Sequence, residues 1–185
     1  MKSIKSVFDK NFQITKDDYE YNYQTKLISK LDNASANFTQ EIINEIVLWK
    51  VNRYADVDKH TLDLINEINV KSKKINIELT KEILMGLLGT KGIQLPMASS
   101  ILRFKNKYIY QIIDQRVYRT LYKKIFLPKS SLSNRGKENN IHLYLKFLVD
   151  LKVECEKLKI PFSNSDRILY MVDKRINWSL KLKKY

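Results

Sequence analysis

Turn-forming residues are scarce in this chain: four of its 185 residues are glycine and three are proline. Sheet proteins reverse direction every few residues and lean on those two residue types to do it. A chain this poor in them is most economically built from helices. Hydrophobic spacing agrees and predicts an all-α fold. A mixed helical segment runs from Asp17-Asp18 to about Asp32. Thr39 caps a helix whose face is Ile42, Ile43, Ile46, Val47 and Val51, and Asp58 caps one that turns Leu62, Ile65 and Ile68 inward. Thr80 opens another through Leu88, a short one follows Pro96, and Asp114 caps one with Val117, Leu121 and Ile125 at four-residue spacing. A long helix is expected from about Lys137 to Leu158, and a last one from Ser163 to near Trp178. Pro128 to Gly136 is the clearest loop, and strand-like alternation is confined to Ile75–Leu79.

The chain length suits one compact domain or two small lobes. We expect a single helical domain over 1–185, with a second lobe formed by 1–36 together with 137–185. The single cysteine, Cys155, excludes a disulfide framework, a four-cysteine zinc site and an iron–sulfur cluster built from this chain. No stretch reaches the roughly 20 apolar residues of a membrane span, and no apolar run follows Met1-Lys2, so a cytoplasmic location is expected.

The net charge is +14, and ten of those units fall between Lys91 and Lys137, where eleven Lys or Arg stand against one acid, Asp114. Such clustering attracts polyanions, because each neutralised phosphate releases condensed counterions. The expected partner is therefore a polyanion, with a nucleic acid the common case; no membrane partner is expected, and the chain is expected to be a monomer.

Three of the glycines, Gly86, Gly89 and Gly92, fall within seven residues, between two short apolar segments. A glycine turn that feeds a helix start can close on a phosphate with its backbone amides, and the helix dipole adds to the attraction. Gly92, Ile93, Ala98, Ile101 and Leu102 follow the pattern of a helix-hairpin-helix element. Eighteen residues after Pro96 stands Asp114, preceded by Ile112-Ile113 and followed by Gln115-Arg116-Val117-Tyr118-Arg119-Thr120-Leu121. Over Leu87–Tyr122 this resembles the helix-hairpin-helix DNA glycosylase superfamily, which includes oxoguanine and adenine glycosylases and endonuclease III. The resemblance implies a two-lobed helical fold with the hairpin at about 80–105. It also implies double-stranded DNA as the partner, with contacts from Gly89, Lys91, Gly92, Gln94 and Met97, phosphate contacts from Arg116 and Arg119, and a catalytic Asp114. The carbonyls of Leu88, Thr90 and Ile93 match positions that hold a monovalent cation, sodium or potassium, in the family; no other cofactor is implied.

Two departures shape the expected chemistry. Gln94 replaces the second glycine of the hairpin. Pro96 stands where bifunctional members carry a lysine nucleophile; proline has no amine for a Schiff base, so the resemblance implies a monofunctional enzyme without lyase activity, leaving an abasic site. Asp114 would stabilise positive charge building on the sugar and orient the attacking water. As the lone acid of a basic segment it is expected to stay ionised. It also suits a helix cap, and the two roles are compatible.

Base excision requires the nucleotide to leave the stack. Glu45 resembles a glutamate that protonates the base in the adenine-specific branch, and a solvent-facing Glu45 is the simpler reading. Trp49 suits either wedging or core packing. Tyr108, Tyr110, Tyr118 and Tyr122 interleave with the cations and suit either stacking on bases or packing. Asp56-Val57-Asp58-Lys59-His60 reads better as loop and cap than as a metal site. His60 and His142 form no metalloprotease motif, and Cys155 reads as inert. The rival expectation is a non-catalytic helix-hairpin-helix DNA-binding protein; a protein-interaction domain whose charge serves solubility ranks below it. Within the enzyme reading, repair of a damaged base is the usual family role, and excision of a modified base from invading phage DNA the lesser one.

Overall fold

The computed structural model describes residues 13, 15–19, 25–33, 38–51, 54–131 and 133–182. Among them the chain is helical throughout, with no strand: α1 (Thr25–Asp32), α2 (Gln40–Lys50), α3 (Lys59–Glu67), α4 (Ile77–Gly89), α5 (Leu95–Lys105), α6 (Gln115–Tyr122), α7 (Asn134–Leu158) and α8 (Ser165–Ile176), plus short 3-10 turns at Lys16–Tyr19 and Phe162–Asn164. The all-α expectation holds. Of the segment expected from Asp17, residues 20–24 lie outside the described residues.

The chain divides into two compact units, 1–54 and 55–185. The C-terminal helices belong with the hairpin, α7 packing on α4 and α8 on α6. The lobe expected from 1–36 with 137–185 is therefore not the division observed. In the first unit α1 packs on α2, with Leu27 buried. Thr39 caps α2 as expected, but the expected apolar face is only partly covered: Ile42 and Ile46 are half-buried, while Ile43, Val47 and Val51 are exposed.

In the second unit, caps fix where each helix starts. Asn76 caps α4 by accepting from the Leu79 amide at 3.2 Å, so the strand-like Ile75–Leu79 is absorbed into a helical first turn. Thr80, expected to open that helix, is instead buried, its hydroxyl bonded to the Asn76 carbonyl and to the Tyr110 hydroxyl at 2.7 Å. α6 stops at Tyr122 because Lys123 turns left-handed (φ 55°); Ile125 is left exposed and Phe126 takes the core position. The last helix starts at Ser165, after a 3-10 turn, rather than at Ser163. In α3, Ile65 is buried and Leu62 exposed.

The core runs along α4, α5 and α7. Leu84, Leu87, Leu102, Phe147 and Leu151 have no exposed surface, and burying each such side chain stabilises the fold by roughly 1.5–3 kcal/mol. Polar side chains tie the loops to this core. Asn106 donates to the Asn69 and Ser72 carbonyls, and Tyr144 to the Gln111 carbonyl. Asn140, buried on α7, bonds both the amide and the carbonyl of Lys129 at 2.9 Å. That pins the Pro128–Ser131 strap across the start of α7. The strap lies so close that a Cβ at Gly136 would meet the Ser130 carbonyl at 1.8 Å.

Candidate nucleic-acid interface and active site

The hairpin turn forms as its glycines require. α4 ends at Gly89, the Ile93 amide donates to the Thr90 carbonyl at 3.1 Å, and Gly92 takes φ +86°, a conformation costly for residues with a Cβ. α5 opens at Leu95 with Pro96 in its first turn, where a missing amide costs no helical bond. Gln94 makes no side-chain cap, so the starting amides of α5 have no acceptor from that residue. Ala98, fully buried, sits where the hairpin helices pack.

Around this turn lies a cleft of about 700 Å³. Leu88, Gly89, Thr90, Lys91, Gly92, Ile93 and Gln94 line one side; Met97 does not line it. The other side is the Lys129–Ser131 strap with Lys137 and Asn140 of α7. No acid lines the cleft. The Lys137 ammonium stands 3.4 Å from where a Gly89 Cβ would lie. Sequence reading missed this second wall, because some forty residues separate it from the turn; its signal was a Pro-Lys-Ser-Ser loop followed by Lys137.

The carbonyl positions implied for a monovalent cation fit it poorly here. One lone pair of the Thr90 carbonyl is taken by the Ile93 amide, and a lysine ammonium already supplies positive charge at Gly89. Among the described residues no group of three or more His, Cys, Asp or Glu side chains could hold a metal ion.

Asp114 is held from two directions. The chain just before it is tied to the hairpin: the Ile113 amide donates to Ser99 Oγ at 3.2 Å, and Ser99 in turn donates to the Pro96 carbonyl at 2.8 Å. After it, the Asp114 carboxylate caps α6, accepting from the Val117 amide at 2.8 Å. The residue is half-buried, and it lines a groove of about 400 Å³ with Ile112, Val117, Asp166, Arg167, Tyr170 and Met171. This groove and the hairpin cleft share no lining residue.

Burial pushes the Asp114 carboxyl above its usual range; the Val117 and Arg116 amides and the Arg116 charge oppose that push without cancelling it. The Arg116 charge thus favours the ionised form as expected, but it is outweighed by burial and the net shift is upward. A smaller push in the same direction comes from Asp173 on α8. Asp173, fully buried, accepts from Arg116 Nη1 at 2.9 Å, from Arg119 Nη2 at 2.7 Å and from Arg119 Nε, with Asn177 adding a bond at 2.9 Å. Arg116 and Arg119, expected to hold phosphates, are structural partners of this acid. Burial raises the Asp173 carboxyl, but the bonds from Arg119, Asn177 and Arg116 outweigh it and hold it below the ordinary value. The two arginines therefore fasten α6 to α8 instead of reaching out as free cations.

Tyr170, unmarked by sequence reading, presents its ring at the Asp114 groove with the Arg116 guanidinium 5.3 Å from the ring centroid. Asp166, a second carboxylate on the groove, is nearly fully buried and paired with Arg103 at 3.3 Å. Of the expected stacking tyrosines, Tyr110 is in the core, and Tyr118 packs on Tyr122 and Phe126 at 4.6 and 5.1 Å. Tyr122 donates to Asp150, and Tyr108 alone of the four is exposed.

Glu45 and Trp49 belong to the first unit. Glu45 is half-buried, its Oε1 accepting from Lys30 at 2.6 Å, so it is an ion-pair partner there rather than solvent-facing; Trp49 is half-buried too. Asp58 caps α3 through the Thr61 amide at 2.9 Å, which accounts for it without a metal, and Cys155 is buried. No helix is long and apolar enough to cross a membrane among the described residues.

No protein-family model matches the chain, and no curated protein and no solved structure gives a significant match.

Proposed function

We propose that the chain is a monofunctional DNA glycosylase that hydrolyses the N-glycosidic bond of a flipped base and acts in the cytoplasm on double-stranded DNA. The observation that carries this reading is the fixing of Asp114. Its carboxylate is held between a helix amide and a backbone segment bonded to the hairpin helix, at the edge of a groove that also presents an aromatic ring.

In this reading the hairpin amides and Lys91, Lys129 and Lys137 grip the backbone, and the extruded nucleotide brings its sugar to Asp114. The base lies against Tyr170. As the base–sugar bond breaks, the base leaves with the bonding electron pair and the sugar becomes cationic. The carboxylate stabilises that charge, and a water that it orients adds to the sugar and gives up its proton. A carboxyl raised by burial is a better base for that proton than an ordinary aspartate. With Pro96 in place of a lysine, the nucleophile is water and the product an abasic site. The test is incubation with duplexes carrying varied damaged or modified bases, with detection of released free base. Release by the native chain and none by Asp114→Asn supports the reading; release that survives Asp114→Asn overturns the mechanism.

One observation favours a second reading, a DNA-binding module without chemistry: the hairpin turn and Asp114 line separate clefts. Salt-sensitive duplex binding with no base released from any substrate would select it.

A further inference from the structure

A groove of about 350 Å³ lies between the residues leading into α4, the Tyr108–Ile109 turn, the middle of α7 and Phe162. Its floor is core: Ile109 and Leu148 are buried. Its rim is apolar and open to solvent, with Ile77 52% exposed, Tyr108 51% and Val149 64%. An apolar concavity of this size is within the range of ligand sites, roughly 300–1,000 Å³.

Three lysines flank it, Lys73 and Lys74 on one side and Lys152 on the other, and no acid lines it. Three acids on the adjoining helices are paired with other lysines: Glu78 with Lys81 at 2.9 Å, Asp150 with Lys146 at 2.7 Å and Glu154 with Lys157 at 3.2 Å. Lys73, Lys74 and Lys152 make no ion pair among the described residues. The result is an apolar slot between two unneutralised positive edges.

We propose that this groove docks an acidic segment of a partner protein, one that places a leucine, isoleucine or phenylalanine in the slot with aspartates or glutamates on either side. An apolar floor offers a phosphate nothing to bond, which argues against a nucleic acid here. Cations on both sides suit several flanking carboxylates better than the single head group of a lipid. The proposal is independent of the glycosylase reading.

The experiment is selection from a random-peptide display library on the full chain, followed by fluorescence anisotropy with a labelled selected peptide. Selected peptides are expected to carry acids flanking an apolar residue. Their affinity should fall by about tenfold, the scale of an interface anchor, in both Val149→Asp and Lys152→Glu, and stay unchanged in Lys59→Glu. Val149 and Lys152 are exposed, so both variants should keep the native circular dichroism and melting temperature. Four results would each overturn the proposal. Selected peptides could lack that pattern, or bind Val149→Asp as tightly as the native chain. Duplex DNA, rather than peptide, could lose affinity in these variants. Self-association abolished by Val149→Asp would make the occupant a second copy.

Discussion

The amide of Ile113 donates to the hydroxyl oxygen of Ser99 at 3.2 Å, which joins the hairpin helix to the residue next to Asp114. Ser99 is fully buried, so its own position is fixed by packing as well as by its bond to Pro96. Ser99→Ala removes the acceptor and leaves a buried amide unpaired, at a cost of about 1–3 kcal/mol. The expected outcome is a lower denaturant midpoint together with a fall in the rate of base release larger than the fall in duplex affinity. Equal losses in rate and affinity would mean that Ser99 serves stability alone.

Asp114 both caps α6 and, in the proposed chemistry, works on the sugar, and two substitutions separate these roles. Asparagine caps about as well as aspartate, so Asp114→Asn should change stability by no more than a few tenths of a kcal/mol while single-turnover base release drops about 10²–10⁴-fold. Asp114→Ala should lose activity and about 1 kcal/mol of stability as well.

The pH dependence carries the sign of the Asp114 shift. A carboxylate acting as base must be ionised, and burial raises its folded value above the ordinary 3.8. The acid limb of the rate profile should therefore lie above that value, activity being lost as pH falls through it. A limb at or below the ordinary value would contradict the proposed role.

Lys129 and Lys137 form the wall of the hairpin cleft that faces the glycine turn. If each neutralises one phosphate, Lys129→Ala and Lys137→Ala should each reduce the slope of log affinity against log salt by about one unit. Arg116→Ala and Arg119→Ala should instead act mainly on stability, because Asp173 holds both side chains. Titration of duplex binding across salt concentrations, beside denaturant melts, distinguishes the two behaviours.

Asp173→Ala strands two partly buried arginines and should cost about 3–5 kcal/mol, read by urea unfolding. Because the Asp173 carboxyl is held below its ordinary value, its contribution is present above pH 3.8 and is lost as pH falls below that toward the folded value. The native chain should lose stability over that acid window. Asp173→Asn should lack that part of the dependence.

Much of the helical framework was legible because caps and apolar periodicity act within a few residues. Thr39, Asp58 and Asp114 cap where the sequence placed them, and Gly92 takes the left-handed turn that its position implied. Asn76 shows the limit: the alternation of Ile75–Leu79 looked like a strand, and a cap one residue upstream of Ile77 made it a helix. Tyr170 at the Asp114 groove carried no local signal at all, since nothing near it in the chain marks it as a neighbour of Arg116.

What the sequence determined by itself was the helical class, the capped aspartate and the glycine turn, since each follows from backbone preferences that span a turn or two. What tertiary structure decided was the fate of the charges. Asp173 lies more than fifty residues from Arg116 and Arg119, and only the packing of α8 on α6 brings it close enough to neutralise them. Lys137 faces the glycine turn only because the strap and α7 fold back on the hairpin. Electrostatic energy depends on distance through space and on burial, and neither is written in the order of residues along the chain.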